Sequence, residues 1–122
     1  MSIGNCNRTL YVEDHADTRE VVSGLLSRHG LSVDQAANAK DAMAMATKAD
    51  YDLLLIDIGL PGMSGLELLP KLRATTKVPS IAITAYAYPK DVQSCYDAGF
   101  DRCLVKPVQL EKLLLAIKEL CA

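Results

Sequence analysis

Apolar residues in this chain fall into short uninterrupted runs separated by segments of helical period. The runs are Leu10-Tyr11-Val12, Leu31 to Ala36, Leu53-Leu54-Leu55-Ile56, Ser80-Ile81-Ala82-Ile83-Thr84 and Cys103-Leu104-Val105. Their length and the turn residues around them predict strands, and the third, closed by Gly59-Leu60-Pro61-Gly62, reads as a strand buried on both faces. The intervening segments predict helices. Val21, Val22, Leu25 and Leu26 form one stripe that Gly30 stops. Asn38 can cap a second helix, with Ala39, Ala42, Met43 and Ala46 on its apolar side. Ser64-Gly65-Leu66-Glu67 has capping-box spacing and opens a third, which Pro70 should kink or keep short. A fourth, after Pro89, is expected to bury Val92, Cys95 and Tyr96 and stop at Gly99. The last, from Val108, sets Leu110, Leu113, Leu114, Ile117 and Leu120 on one side.

Five strands alternating with five helices predict an α/β fold, a parallel sheet with helices on both faces, because each right-handed crossover packs its helix back on the sheet. In such sheets a ligand site lies beyond the C-terminal strand ends. Glu13 and Asp14, Asp57, Thr84 and Lys106 all fall at such ends.

Length and charge narrow the options. At 122 residues there is room for one domain, which buries roughly two-thirds of its unfolded surface and needs no metal or disulfide staple. Thirteen basic residues stand against fifteen acidic ones, with no basic track, so direct nucleic-acid binding is not expected. Cys6, Cys95, Cys103 and Cys121 show no C-x-x-C spacing and read as reduced thiols, three of them in apolar segments where a thiol serves as a small hydrophobe. The first seven residues hold no apolar signal core and no segment has the length of a membrane span, so the expected location is the cytoplasm. His15 and His29 read as an exposed loop residue and a helix-end residue.

The candidate chemistry follows from charge. Two carboxylates about 4 Å apart repel by roughly 4 kcal/mol at an effective dielectric near 20. A cluster of Glu13, Asp14 and Asp57 therefore calls for a cation, and oxygen ligands with no His or Cys nearby favour magnesium. Lys106 adds a mobile positive charge and Thr84 a hydroxyl donor. Carboxylate nucleophile, metal, lysine and hydroxyl together suit phosphoryl transfer.

Glu13-Asp14, Asp57 followed by Ile58-Gly59-Leu60-Pro61-Gly62-Met63-Ser64-Gly65, Thr84-Ala85 and Lys106-Pro107 make the chain resemble the receiver domain of two-component response regulators, from about Arg8 to Leu120. The resemblance implies a flavodoxin-like fold with strand order 2-1-3-4-5, a receiver domain over residues 8–122 and an N-terminal extension over residues 1–7. It implies that Asp57 accepts a phosphoryl group from the phosphohistidine of a histidine kinase or phosphotransfer domain. By the same carry-over, Asp14, Asp57 and the Gly59 carbonyl bind Mg2+, Glu13 acts mainly through water, and Lys106 pairs with the phosphoryl group. No independent substrate turnover is implied. Output would pass to a partner through the face made by the fourth helix, fifth strand and fifth helix. The stretches Tyr11 to Arg19 and Gly99 to Val108 look more like receivers of hybrid histidine kinases than those of transcription factors.

Two positions depart from the pattern. Receivers commonly carry Tyr or Phe three residues before the lysine, where this chain has Cys103, and Gly59 stands where a longer polar side chain is common. Gly59 also argues against a haloacid-dehalogenase-like phosphatase, which needs a second acid there. Glu13-Asp14 would repel the phosphate of a flavodoxin cofactor. The remaining alternative is a receiver-like interaction module that works without phosphorylation.

Overall fold

The computed structural model describes residues 5–122, so the first four residues of the expected extension lie outside the described residues. The elements run β1 (Arg8–Val12), α1 (Ala16–Arg28), β2 (Ser32–Ala36), α2 (Ala39–Lys48), β3 (Leu53–Asp57), α3 (Gly65–Leu72), β4 (Ser80–Thr84), α4 (Pro89–Asp97), β5 (Arg102–Val105) and α5 (Leu110–Leu120). All four strand pairings are parallel, in the order β2-β1-β3-β4-β5, which is the flavodoxin-like topology expected.

Burial explains why the central strands read so clearly. Every residue of β3 and β4 is buried, whereas β5, at one edge, is only half-buried. Parallel strands covered on both sides take continuous apolar sequence rather than alternation. One apolar cluster joins β1, β3 and β4 to α2, α3 and α4 through residues such as Leu54, Ala42, Leu68 and Cys95. The other joins the opposite sheet face to α1 and α5 through Tyr11, Leu55, Leu26, Leu113 and Ile117. Leu53 to Ile56 contribute to both clusters in alternation, so truncating any one of these side chains to alanine would cost about 2–5 kcal/mol. The strand that carries Asp57 is the most firmly anchored support in the sheet.

Local signals set the helix ends. The Asn38 side chain accepts from the Asp41 amide at 2.8 Å. Ser64 accepts from the Glu67 amide at 3.4 Å, and α3 is only eight residues long with Pro70 inside it. Gly30, at φ 91°, turns the chain after α1, a conformation that a side chain would penalise.

Three sequence expectations are corrected. The buried stripe of α1 runs through Ser23 and Leu26, while Val21 is exposed; hydrophobicity alone places the phase of this helix one residue early. Tyr96 also faces outward, leaving Cys95 as the buried residue of α4. Finally, Cys6 and Cys121 are joined in a disulfide, with Cα atoms 5.4 Å apart across 115 residues of sequence, so only Cys95 and Cys103 are free thiols. The reason is topological. Each helix of a parallel βα fold returns the chain to the N-terminal edge of the sheet, so a cysteine before β1 and one after α5 arrive at the same edge.

Candidate phosphoacceptor site

Asp57 ends β3 with its side chain almost wholly buried. The turn after it is pinned from both sides: the Ile58 amide donates to the Ile83 carbonyl at 2.8 Å, and the Gly65 amide to the Ile58 carbonyl at 3.0 Å. Gly65 permits this closeness, because a Cβ there would lie 2.6 Å from the Asp57 carbonyl oxygen and 2.9 Å from the Ile58 Cα. The carboxylate itself accepts from the Gly59 amide at Oδ1 and from Lys106 Nζ at Oδ2, each at 2.9 Å.

Lys106 reaches Asp57 from the end of β5, where its amide donates to the Thr84 carbonyl at 2.8 Å. The Lys106-Pro107 peptide is cis. The ammonium also lies 3.6 Å from Glu13 Oε1. A cavity of about 500 Å3 between α1 and α5, floored by Tyr11, Ile83 and Leu113, borders its stem. The lysine thus has room to shift as the charge opposite it changes.

Glu13 and Asp14 follow β1. Glu13 is 1 % exposed, and its Oε2 accepts from the His15 amide at 3.3 Å. Asp14 Oδ1 is buried without a hydrogen-bond partner among the described residues. Glu13, Asp14 and His15 each offer a ligand atom within 4.8 Å of one another. An orphaned, buried carboxylate oxygen beside a second acid suits a hard divalent cation. Glu13 and Asp14 therefore suit such an ion, and, against the expectation of no histidine nearby, His15 lies in the same cluster.

The two most buried acids are driven apart. Burial pushes the Glu13 carboxyl above its ordinary range, and the neighbouring Asp57 adds to this. Burial would also raise Asp57, but the hydrogen bonds from Lys106 and the Gly59 amide outweigh it and hold the group below its usual value. For Lys106, burial favours the neutral amine, yet the bond to Asp57 and the charges of Asp57 and Glu13 keep the ammonium more basic than usual. The result is an ionised Asp57 facing a charged lysine, with a proton more readily held by Glu13.

Thr84 ends β4, buried, and its Oγ1 accepts from the Tyr86 amide at 3.1 Å. That leaves the hydroxyl proton free to point elsewhere. Tyr86 and Tyr88 stand exposed beyond it. Cys103 lies on β5 beside the buried Cys95, where burial pushes its thiol up to about 12. It is a neutral, weakly polar filler at this position.

Two residues at the site are poorly legible in sequence. Arg19 donates from Nη1 to the Glu13 carbonyl at 2.8 Å and from Nε to Gln35 Oε1 at 3.1 Å, which ties the end of β1 to α1 and β2. The only hint is a cation near the start of a helix, against the helix dipole. His15 is the exposed loop residue expected, but it is also the N-cap residue of α1 and lies 3.5 Å from both Glu13 and Asp14.

Comparison with known proteins agrees with this geometry. The response regulator receiver domain model matches residues 9–118. The transcriptional regulatory protein ResD of Bacillus subtilis is 32% identical over 95% of this chain and 48% of its own length. The sensor histidine kinase AruS of Pseudomonas aeruginosa is 39% identical over 90% of this chain and 12% of its own. The chain thus spans about half of one relative and a small part of the other. The solved structure of the response regulator protein TrrA from Thermotoga maritima, in complex with Mg(2+)-BeF, superposes with a TM-score of 0.83 at 32% identity, covering 93% of this chain and 98% of that one. With the parallel order 2-1-3-4-5, the acids and lysine gathered at its C-terminal edge, and a family match over nearly its whole length, the chain belongs to the response regulator receiver domains of two-component systems.

Proposed function

We propose that residues 8–122 form a phosphoacceptor receiver in which Asp57 takes a phosphoryl group from the phosphohistidine of a histidine kinase or phosphotransfer domain. The observation that carries this reading is the 2.9 Å contact between Lys106 Nζ and Asp57 Oδ2, beside the buried Glu13 carboxylate 3.6 Å from the same ammonium. Asp57 Oδ2 attacks phosphorus, the P–N bond to the donor imidazole breaks, and the imidazole leaves with the bonding pair. Lys106 then follows the transferred charge onto the phosphoryl oxygens, and the free hydroxyl proton of Thr84 donates to one of them. Arg19 acts as a positioning residue by fixing the strand end that bears Glu13.

Asp14, Asp57 and the Gly59 carbonyl would hold Mg2+, with Glu13 contributing through water. When bound, the ion supplies neutralisation of the carboxylates and of the incoming phosphoryl oxygens. The orphaned Asp14 Oδ1 and the Mg(2+)-BeF complex of the Thermotoga maritima relative support this assignment. The chain carries out no turnover on an independent substrate. Signalling runs through the α4, β5 and α5 face to an output partner. Because phosphohistidine derives from ATP, the domain works in the cytoplasm; among the described residues no helix is long and apolar enough to cross a membrane.

The test is incubation with a small acyl-phosphate donor and Mg2+, followed by intact-mass measurement. Wild type should gain one phosphoryl mass and Asp57→Asn none. An undiminished gain in the variant would sink the assignment, and no gain in wild type would favour the phosphorylation-independent module.

A further inference from the structure

The Cys6–Cys121 bridge joins the segment before β1 to the residue after α5. Both residues are 4 % exposed and pack in the cluster that includes Leu26, Leu53 and Ile117. The backbone reinforces the junction: the Asn5 amide donates to the Cys121 carbonyl at 2.5 Å, and Asn5 Nδ2 to the Ala122 carbonyl at 3.2 Å. On the other side, the Asn7 and Arg8 amides both donate to Asp52 Oδ2 at 2.9 Å. Cys6 is therefore a short tether between a fixed strand start and the end of a helix.

The geometry points to Cys6 and Cys121 as a reversible redox modification site, a clasp whose oxidation anchors the C-terminal end of α5 to the sheet and whose reduction releases it. Three features carry this. First, the fold brings the two residues together through topology, and a buried thiol packs as a small apolar side chain; the reduced pair stays adjacent and ready to close. Second, Asn5 bonds to the end of α5, whereas the strand start that follows Cys6 is held separately, by Asp52 on the Asn7 and Arg8 amides. Breaking the bridge thus frees the Asn5–Cys6 segment and the end of α5 from each other without opening β1 to β3. Third, the other two cysteines stand apart from this junction, packed in the cluster on the opposite face of the sheet, so neither can exchange into the bridge.

Reversibility rests on the cytoplasmic placement proposed above, since disulfides of that compartment are commonly transient or redox-sensing. The oxidant is a low-molecular-weight disulfide. One cysteine thiolate attacks it, forming a mixed disulfide and releasing the first small thiolate. The second cysteine thiolate then attacks the protein sulfur of that mixed bond, closes the bridge and releases the second small thiolate. Two protein thiols are oxidised and one small disulfide is reduced to two thiols. The consequence lies on α5, which begins just after Lys106-Pro107 and forms part of the proposed output face. Oxidation fixes its far end while leaving the acids of the phosphoacceptor site untouched.

The test equilibrates wild type in glutathione buffers from fully reduced to fully oxidised, counting thiols under denaturing conditions. Two thiols should be found in the oxidised protein and four in the reduced, with the transition reversing when the buffers are exchanged. The oxidised form should melt higher by roughly 10 °C, and amide exchange at the end of α5 should slow on oxidation. Cys6→Ser and Cys121→Ser should each erase the dependence of melting on redox buffer. Four thiols in every buffer, a bridge that no glutathione ratio opens, or equal melting of the two forms would overturn the clasp. Phosphoryl mass measured on the same samples reports separately on Asp57, so failure of one reading leaves a distinct signature from failure of the other.

Discussion

The two ends of one sheet use the same side chains for opposite purposes. At the N-terminal edge each of three carboxylates is answered. Asp34 takes the Tyr51 hydroxyl and Arg8 Nη2, each at 2.8 Å. Asp52 caps two backbone amides, and Asp101 accepts the Ser80 amide at 2.8 Å beside Arg73. At the C-terminal edge Glu13 and Asp57 share one ammonium, and Asp14 Oδ1, 3.5 Å from His15 Nδ1, has no hydrogen-bond partner among the described residues. Paired carboxylates settle the strand starts; crowded ones leave negative charge only partly neutralised by the chain's own cations. Stability is sacrificed where function needs an unsatisfied group.

The largest expected effect is steric and lies at the functional edge. Gly65→Ala would press a methyl group against the Asp57 and Ile58 backbone, where no flexible side chain can yield, and should cost about 3 kcal/mol in urea unfolding. A cost near zero would mean that the turn under Asp57 is slack. Next, Mg2+ at 100 times its dissociation constant should stabilise wild type by about 2.7 kcal/mol, and Asp14→Ala should lose most of that gain. Equal magnesium stabilisation of both proteins would place the ion away from the orphaned oxygen. At the opposite edge, Asp101→Ala strips the partner from a buried Ser80 amide and should cost about 1–2 kcal/mol while phosphoryl uptake stays at the wild-type level. Loss of uptake there would erase the division between the edges.

The smallest effect is a pH dependence. The Tyr51 hydroxyl, with a further contribution from Arg8, outweighs partial burial and holds Asp34 below its ordinary value. The unfolded chain therefore takes up a proton at higher pH than the folded one, and the stability from this group is present above the unfolded pKa and lost as pH falls through the folded one. Wild type should exceed Asp34→Asn in melting temperature at about pH 7, and the gap should close below about pH 4. A gap that persists at low pH would assign the contact to packing rather than charge.

What the sequence makes legible follows the same division. Strands covered on both faces must be apolar throughout, so Leu53 to Ile56 and Ile81 to Ile83 announce themselves, and the residues that follow them are placed at the site by topology alone. The caps at Asn38 and Ser64 are legible because their spacing is the mechanism. Helix phase is less so: Val21 lies outward and Ser23 inward on α1, because a small polar residue leaves no mark in an apolar pattern. Tyr96 carries an apolar ring that the surface tolerates. The Cys6–Cys121 bridge is hidden from any reading by spacing, since its partners meet only after four crossovers and a final helix have returned the chain to one edge. Arg19 is hidden for a related reason, as it acts on a main-chain carbonyl that carries no sequence signature.

The central claim is that Asp57, held below its ordinary carboxylate range by Lys106 and the Gly59 amide, is the acid aimed as a nucleophile. Borohydride treatment of the phosphorylated protein converts an acyl-phosphate aspartate to homoserine, and peptide mass mapping then locates it. The account predicts homoserine at position 57 and unmodified Glu13 and Asp14. Reduction at Asp14 or Glu13, with Asp57 intact, would contradict it.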